Sequence, residues 1–370
     1  MKNFEEIRPG VLNQEQILTL NEDVIEKLND KGVDPSAFDL HLSRQGWKMK
    51  GSIKASSDTT IDKIIGDYSE EPLTNGGPWI LQRGKTYIFR LREYLKLADK
   101  SMVFGKATGK SSIGRLDVLT RLMVNNCPSF DTIENDSYKG SLYLEVTPIT
   151  FPIQVREGVA LSQLRLFRGS PESSELRDDQ LPLYPQMILK EDGKPKTEKV
   201  RELRVNLDPD ENGNSAFMAQ KMAGKDLVVD LTREEKFDPE KFWAAKPPAA
   251  NGTLEIEPEQ FYILRSKERF KLPEDVAVYC EAISETLGEL RIHYAGFVHP
   301  GFGRDRDVGT PVIFEVRGHN VSVFLRDGET LAHIKFYRMS KPCSEECLKT
   351  KKSGYEEQEL KLSKYFKDWA

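Results

Sequence analysis

Apolar positions recur at helical spacing over residues 10–32, "GVLNQEQILTLNEDVIEKLNDKG", and the pattern predicts one helix with Gly32 as its stop. Beyond it the period shortens to two. Runs of β-branched and aromatic residues, "WILQRGKTYIFRL", "GSLYLEVTPITFPIQVREG" and "SQLRLFRG", are punctuated by Gly, Pro, Asn and Asp. Strands at that spacing predict an all-β sandwich or barrel. The stretch 170–200 is rich in Ser, Pro, Asp and Lys, and "PDENGNSA" and "AAKPPAANGT" add further breaks.

The pattern then repeats. "GSLYLEV" (140–146) matches "TPVIFEV" (310–316), and "VREGVALSQLRLFR" (155–168) matches "LRDGETLAHIKFYR" (325–338), both at an offset of 170. Upstream, "WILQRGKTYIF" (79–89) pairs with "YILRSKERFKL" (262–272) at a slightly different offset. Tandem duplication of a β domain accounts for these matches. The chain divides into an N-terminal β domain (1–170), a linker or long loop (171–200), a C-terminal β domain (201–340) and a tail (341–370).

The two copies differ in their polar inserts. The first carries "GKSSIGRLD" at 109–117, and the second has "SETLGE" in that region. The second carries the hairpin "YAGFVHPGFG" at 294–303, where the first has "NNCPSFDTIENDSYKG". In "GKSSIGR", Gly109 lets backbone approach an anion, Ser111 and Ser112 offer hydroxyl and N–H donors, and Lys110 and Arg115 supply charge. A helical turn there places Arg115 on the face of Ser111. The stretch reads equally as a capped turn with solvated cations. The hairpin is either an ordinary Gly-Pro turn or a reader of a flat base edge, with Phe297 or Phe302 to stack on it. Glu145 and Glu315 interrupt apolar strands and point away from Leu144, Val146, Phe314 and Val316. Each is either a solvated outward residue or a desolvated carboxylate suited to proton transfer.

Composition narrows the choice. The net charge of −5 and a pI near 5.8 leave no domain-wide basic surface for nucleic acid. No run approaches the roughly 20 apolar residues of a membrane span, and "MKNFEEIRPGVLNQEQ" lacks a signal-peptide core, so a cytoplasmic protein is expected. The four cysteines show no CxxC, "CSEEC" has the wrong spacing for a zinc knuckle, and H-x-E and P-C-x-x-C are absent, so no zinc site is expected.

Taken in order, these motifs resemble the deoxycytidine triphosphate deaminases, relatives of the trimeric deoxyuridine triphosphatases. "DPSAFDLHLS" (34–43) resembles their early strand, and "GKSSIGRLD" their phosphate motif with Lys110 for Arg. "YAGFVHPGFG" with "VIFEV" resembles their base-reading hairpin and catalytic-Glu strand. "GYEEQE" (354–359) resembles the C-terminal tail that folds over the triphosphate as a lid. The resemblance implies a mainly β protein of two tandem dUTPase-like distorted β-barrel or jelly-roll domains with a few short helices, assembled as a homo-oligomer, a trimer by preference. It implies hydrolysis of dCTP to dUTP and ammonia, with Mg²⁺ accompanying the triphosphate and no protein-bound zinc.

The site so implied is composite. Lys110, Ser111, Ser112 and Arg115 of one repeat would face Ala295, His299, Phe302 and Glu315 of the other, with Tyr355 and Gln358 from the tail. Glu315 would be the general base and Glu145 its rival, Arg115 and Ser111 would orient the reacting centre, and the carbonyl near Ala295 would hold the water. In the opposite combination Glu285 and Glu289 would repel the triphosphate. His299 departs from the family's Asp, which makes simple dUTP hydrolysis less favoured. The competing readings are a deoxynucleotide pyrophosphohydrolase, a bifunctional deaminase-diphosphatase and a non-catalytic nucleotide-binding scaffold.

Overall fold

The computed structural model describes residues 8–20, 23–74, 76–97, 101–134, 136–220, 227–248, 251–282, 290–292, 296–350 and 355–369. The chain forms two units: residues 1–175 with 227–233 and 337–347, and residues 176–226 with 234–336 and 348–370.

The first unit is built on the antiparallel strand order Thr132–Ile133, Val103–Gly109, Ala160–Arg168, Ala37–Met49, Thr86–Lys96, Lys139–Pro148, Val118–Met123. The long strand Ala37–Met49 pairs with Ala160–Arg168 through its first half and with Thr86–Lys96 through its second, so one strand carries the sheet round a bend. Alternation sends Leu40, Leu42, Phe89, Leu91, Leu144, Val146 and Leu164 into a buried interior. The opposite face is covered around Ile88, Tyr143 and Met123 by the helix Ile61–Tyr68, which buries Ile61, Ile64 and Ile65 at helical spacing.

The second unit has the order Phe297–Val298, Val276–Ala282, Thr330–Arg338, Glu202–Asn206, Phe261–Phe270, Thr310–Gly318, Leu290–Ile292. Its interior gathers Leu203, Val205, Tyr262, Leu264, Phe314, Val316, Leu331 and Phe336. Ala216–Ala219 and Trp243–Lys246 extend the sheet beside Phe261–Phe270. An aromatic group packs there, with Phe366 of the tail 5.2 Å from Phe242 and 6.0 Å from Trp243. Within 171–200, the short strand Ile188–Leu189 pairs with Phe270 and Arg269 of this unit.

The two strand orders match element for element, and so do the registers. Glu145 lies opposite Ile88 as Glu315 lies opposite Ile263. Both long-strand pairings carry a bulge at the same step, between Ala160 and Ser162 in one and between Leu203 and Arg204 in the other. The Tyr87 hydroxyl accepts from the Gln82 N–H at 3.0 Å, and the Tyr262 hydroxyl accepts from the Glu257 N–H at 3.1 Å. These registers correct one alignment. The counterpart of "YILRSKERFKL" (262–272) is "YIFRLREYLKL" (87–97), not 79–89. Ile80 pairs instead with Gln154 in a separate small sheet, as Glu255 does with Phe324. Both 79–89 and 262–272 begin with an aromatic-Ile-Leu triplet, which is the local likeness between them.

The predicted 10–32 helix is also corrected. Asn13 caps a helix that covers only Gln14–Thr19, with Gln16 completing the capping box. Ile25 is drawn into a pairing with Leu95, and Val33 into one with Phe38. Tertiary pairing of β-branched residues overrides the helical period.

Candidate active site

Strand Val103–Gly109 delivers the polar turn. A Cβ on Gly109 would lie 2.7 Å from Thr120 Oγ1, so the close approach of these strands requires glycine. Ser111–Gly114 form one helical turn, with Lys110 before it and Arg115 after it. The N–H groups of Ile113 and Gly114 donate to the Lys110 carbonyl at 2.8 and 3.0 Å, and that of Arg115 to the Ser111 carbonyl at 3.1 Å. Ser111 and Arg115 therefore share one side of the turn.

Arg115 is only 2% exposed and Ser112 3%, which removes the solvated-cation reading for Arg115. Lys110 reaches Asp39 of the "DPSAFDLHLS" strand, with Nζ 2.5 Å from Oδ1. Asp117, buried and at φ +56°, closes the turn. It accepts from the Thr150 hydroxyl at 2.6 Å, and its carbonyl accepts from the Ile149 N–H at 2.9 Å. The roles of Asp39 and Asp117 were missed in the sequence. The available signal was an acid set inside "FDLHL" and at the end of "GRLD".

Glu145 stands between Ile88 and Arg121 on the covered face of its sheet. The Ser52 hydroxyl donates to one of its oxygens at 2.8 Å and the Ile53 N–H to the other at 3.3 Å. Burial pushes its carboxyl above the usual range, and these two hydrogen bonds oppose the rise. Nearby, Arg121 pairs with Asp131 at 3.1 Å. Burial pushes Asp131 up to about 6, although the Leu122 N–H and Arg121 favour its charged form.

Glu315 is 1% exposed, deeper than Glu145. The solvated outward reading fails for both glutamates, because both side chains are buried. In the hairpin, Phe297–Val298 pair with Val278 and Tyr279. A Cβ on Gly296 would strike the Tyr279 ring at 2.5 Å, and one on Gly303, at φ +71°, would strike the Phe270 carbonyl at 2.0 Å. Phe302 packs edge-on to Phe270, with ring centroids 6.4 Å apart, and its carbonyl accepts from the Leu272 N–H, so the ring serves the core of its own unit. His299 is half-buried, and its carbonyl accepts from the Phe302 N–H. Ala295, Glu285 and Glu289 lie outside the described residues.

The tail residues are docked. The Gln358 side-chain amide donates to the Pro311 carbonyl at 2.9 Å, and the Thr310 hydroxyl donates to the Glu356 carbonyl. Tyr355 accepts from the Lys364 N–H at 3.0 Å through its hydroxyl. Gln358 and Glu356 thus hold the first residues of the strand that carries Glu315.

A bent antiparallel β scaffold thus carries a Ser-Ser-Arg turn with a buried guanidinium and, in equivalent strands, two buried glutamates. The chain belongs to the 2'-deoxycytidine 5'-triphosphate deaminase family. The model of its N-terminal domain matches residues 8–170 and that of its C-terminal domain residues 175–366. A crystal structure of 2'-deoxycytidine 5'-triphosphate deaminase from Agrobacterium tumefaciens is similar at a TM-score of 0.82 and 29% identity, covering 91% of this chain and 97% of that one. No curated protein sequence matches significantly. The protein is a deaminase of the long, two-domain form.

Proposed function

We propose that this deaminase converts dCTP and water to dUTP and ammonia with Glu315 as the proton-handling carboxylate and Ser111, Ser112, Arg115 and Lys110 as the triphosphate and reaction-centre donors. The observation that carries the assignment of the turn is its buried guanidinium on the same side as Ser111. A guanidinium grips two oxygens at once, and a desolvated one acts on developing negative charge more strongly than one in water. The second repeat, with "SETLGE" in this region, has no such cation.

Glu315 takes a proton from water as the oxygen adds to C4 of cytosine. It passes that proton to N3, then takes the remaining proton of the C4 hydroxyl and delivers it to the amino group, so the C4–N bond breaks and ammonia leaves with the 4-oxo base behind. Both oxygens of Glu145 already accept from Ser52 and Ile53 within their own cover, the arrangement of a structural carboxylate. Glu315 is favoured over it by its place in "VIFEV", which with the preceding hairpin resembles the family's catalytic-Glu strand. His299 and the Ala295 backbone are assigned to base and sugar, and Tyr355 and Gln358 to the tail's contact with substrate. Mg²⁺ enters as part of the triphosphate substrate.

The matched strand orders and registers support descent of both units from one duplicated domain. Family resemblance supports a homotrimer and a cytoplasmic site of action, and no described helix is long and apolar enough to cross a membrane. The test is ammonia release and nucleotide product analysis with dCTP and with dUTP, each with Mg²⁺. The expected result is dUTP and ammonia from dCTP, and no dUMP from dUTP. Binding of dCTP without turnover overturns the reading.

A further inference from the structure

The second unit gathers three guanidiniums around one carboxylate. Glu359 Oε1 accepts from Arg306 Nη2 at 2.9 Å and from Arg269 Nη2, and Oε2 accepts from Arg269 Nη1 at 3.2 Å and from Arg265 Nη1 at 3.4 Å. Burial raises the Glu359 carboxyl, but the hydrogen bond and charge of Arg269, joined by Arg306, outweigh it and hold the group below the usual range. Two of the arginines are oriented without the help of Glu359. The carbonyls of Asp208 and Pro209 accept from Arg265 Nη2 at 3.0 and 3.3 Å, and those of Val308 and Gly309 from Arg269 Nε at 3.0 and 3.2 Å. The Gln358 carbonyl accepts from Arg306 Nη1 at 3.2 Å.

Charge and donors exceed what the carboxylate supplies. Three cations meet one anion. The Arg265 and Arg269 side chains are only 9% and 12% exposed, so water compensates little of the excess. Arg265 Nε is buried and has no hydrogen-bond partner among the described residues. A carboxylate offers two oxygens to this pocket, whereas a phosphoryl chain offers more acceptors and more charge. Glu359 is itself 34% exposed, so the pocket is open to solvent on the side of its occupant.

We propose that Arg265, Arg269 and Arg306 form an oxyanion pocket for polyphosphate, which Glu359 fills as an internal plug when no such anion is bound. Displacing Glu359 also removes the contact that fixes the tail next to Gln358. The ligand class rests in part on the nucleotide reading of this protein, but the pocket's affinity is measured without turnover.

The test is calorimetric titration of inorganic tripolyphosphate into the full chain carrying Arg115→Ala, which silences the serine turn. Glu359→Gln in that background is expected to tighten binding about tenfold by removing the competing charge, and Arg306→Gln to weaken it about tenfold. Equal affinities in all three proteins overturn the proposal and leave the cluster a tether for the tail. Arg306 is a quarter exposed, so its variant keeps the test alive should the Glu359 variant fail to fold. Added dCTP displaces the probe if a nucleotide tail is the ligand and leaves it bound if free polyphosphate is. Absence of dCTP turnover by the unaltered chain, alongside intact tripolyphosphate binding, sinks the deaminase assignment alone.

Discussion

Glu145 and Glu315 occupy the same register in equivalent strands, yet the elements around them differ. Over Glu145 lies the segment that leads into helix Ile61–Tyr68, with Ser52 and Ile53 bonded to the carboxylate and Tyr143 donating to Asp62 on the helix at 2.7 Å. Strands Ala216–Ala219 and Trp243–Lys246 extend the sheet beside Phe261–Phe270, whose Ile263 lies opposite Glu315, and tail residues bind the start of the strand that carries Glu315. One scaffold thus places two carboxylates in the same register, and over the first a segment outside the sheet supplies hydrogen bonds from Ser52 and Ile53. The same holds one strand inward. Glu93 is buried beneath His41, which donates to it from N–H at 2.9 Å and pairs through Nδ1 at 2.7 Å. Its counterpart Glu268 takes Lys196 at 2.9 Å and Arg204 at 2.8 Å. Both units bury an acid at this register, and its side-chain partners differ.

The sharpest way to break the comparison is to neutralise each strand glutamate. Glu315→Gln is expected to lower the initial rate of ammonia release about a thousandfold, and Glu145→Gln less than about tenfold. The reverse order would move the base to the first unit. Next in size is the inner acid. Glu268→Gln leaves Lys196 buried without its charge partner and should cost about 3 kcal/mol in denaturant melts. Glu93→Gln, which keeps a hydrogen-bonding amide beside a histidine, should cost about half that. Equal losses would mean that the difference in partners does not matter.

Gly109→Ala drives a methyl against Thr120 Oγ1 and is expected to cost about 1–3 kcal/mol, with Thr120→Ala in the same chain restoring most of it. Failure of the second change to rescue would place the strain elsewhere. The smallest effect is in pH. With its folded pKa near 6 and an ordinary unfolded value of 3.8, Asp131 binds its proton more tightly in the folded state. Its contribution therefore favours folding below the unfolded value and is lost as pH rises towards 6. Asp131→Asn should flatten that part of the melting-temperature profile of the first unit and leave the second unchanged.

Most strands were legible in the alternating runs, because a half-buried strand writes its period directly into the sequence. Thr86–Lys96, Lys139–Pro148 and Ala160–Arg168 all overlap stretches read as β. The helix over 10–32 was over-read, since the partners that pull Ile25 and Val33 into strands, Leu95 and Phe38, carry no local signal. The serine turn was legible as a helical turn with Arg115 over Ser111, but the attachment of Lys110 to Asp39 was not. That attachment depends on the bend that brings the early strand beside the loop.

The sequence by itself determined the all-β pattern, the internal repeat and the identity of the Ser111–Arg115 turn and the two strand glutamates, because period, glycine placement and residue chemistry are local properties. Tertiary structure alone decided that Arg115, Glu145 and Glu315 are buried, that Phe302 belongs to the core, and that Glu359 sits among three arginines. Burial and charge pairing are set by segments far away in the chain, and those segments differ between the two halves where the strands do not.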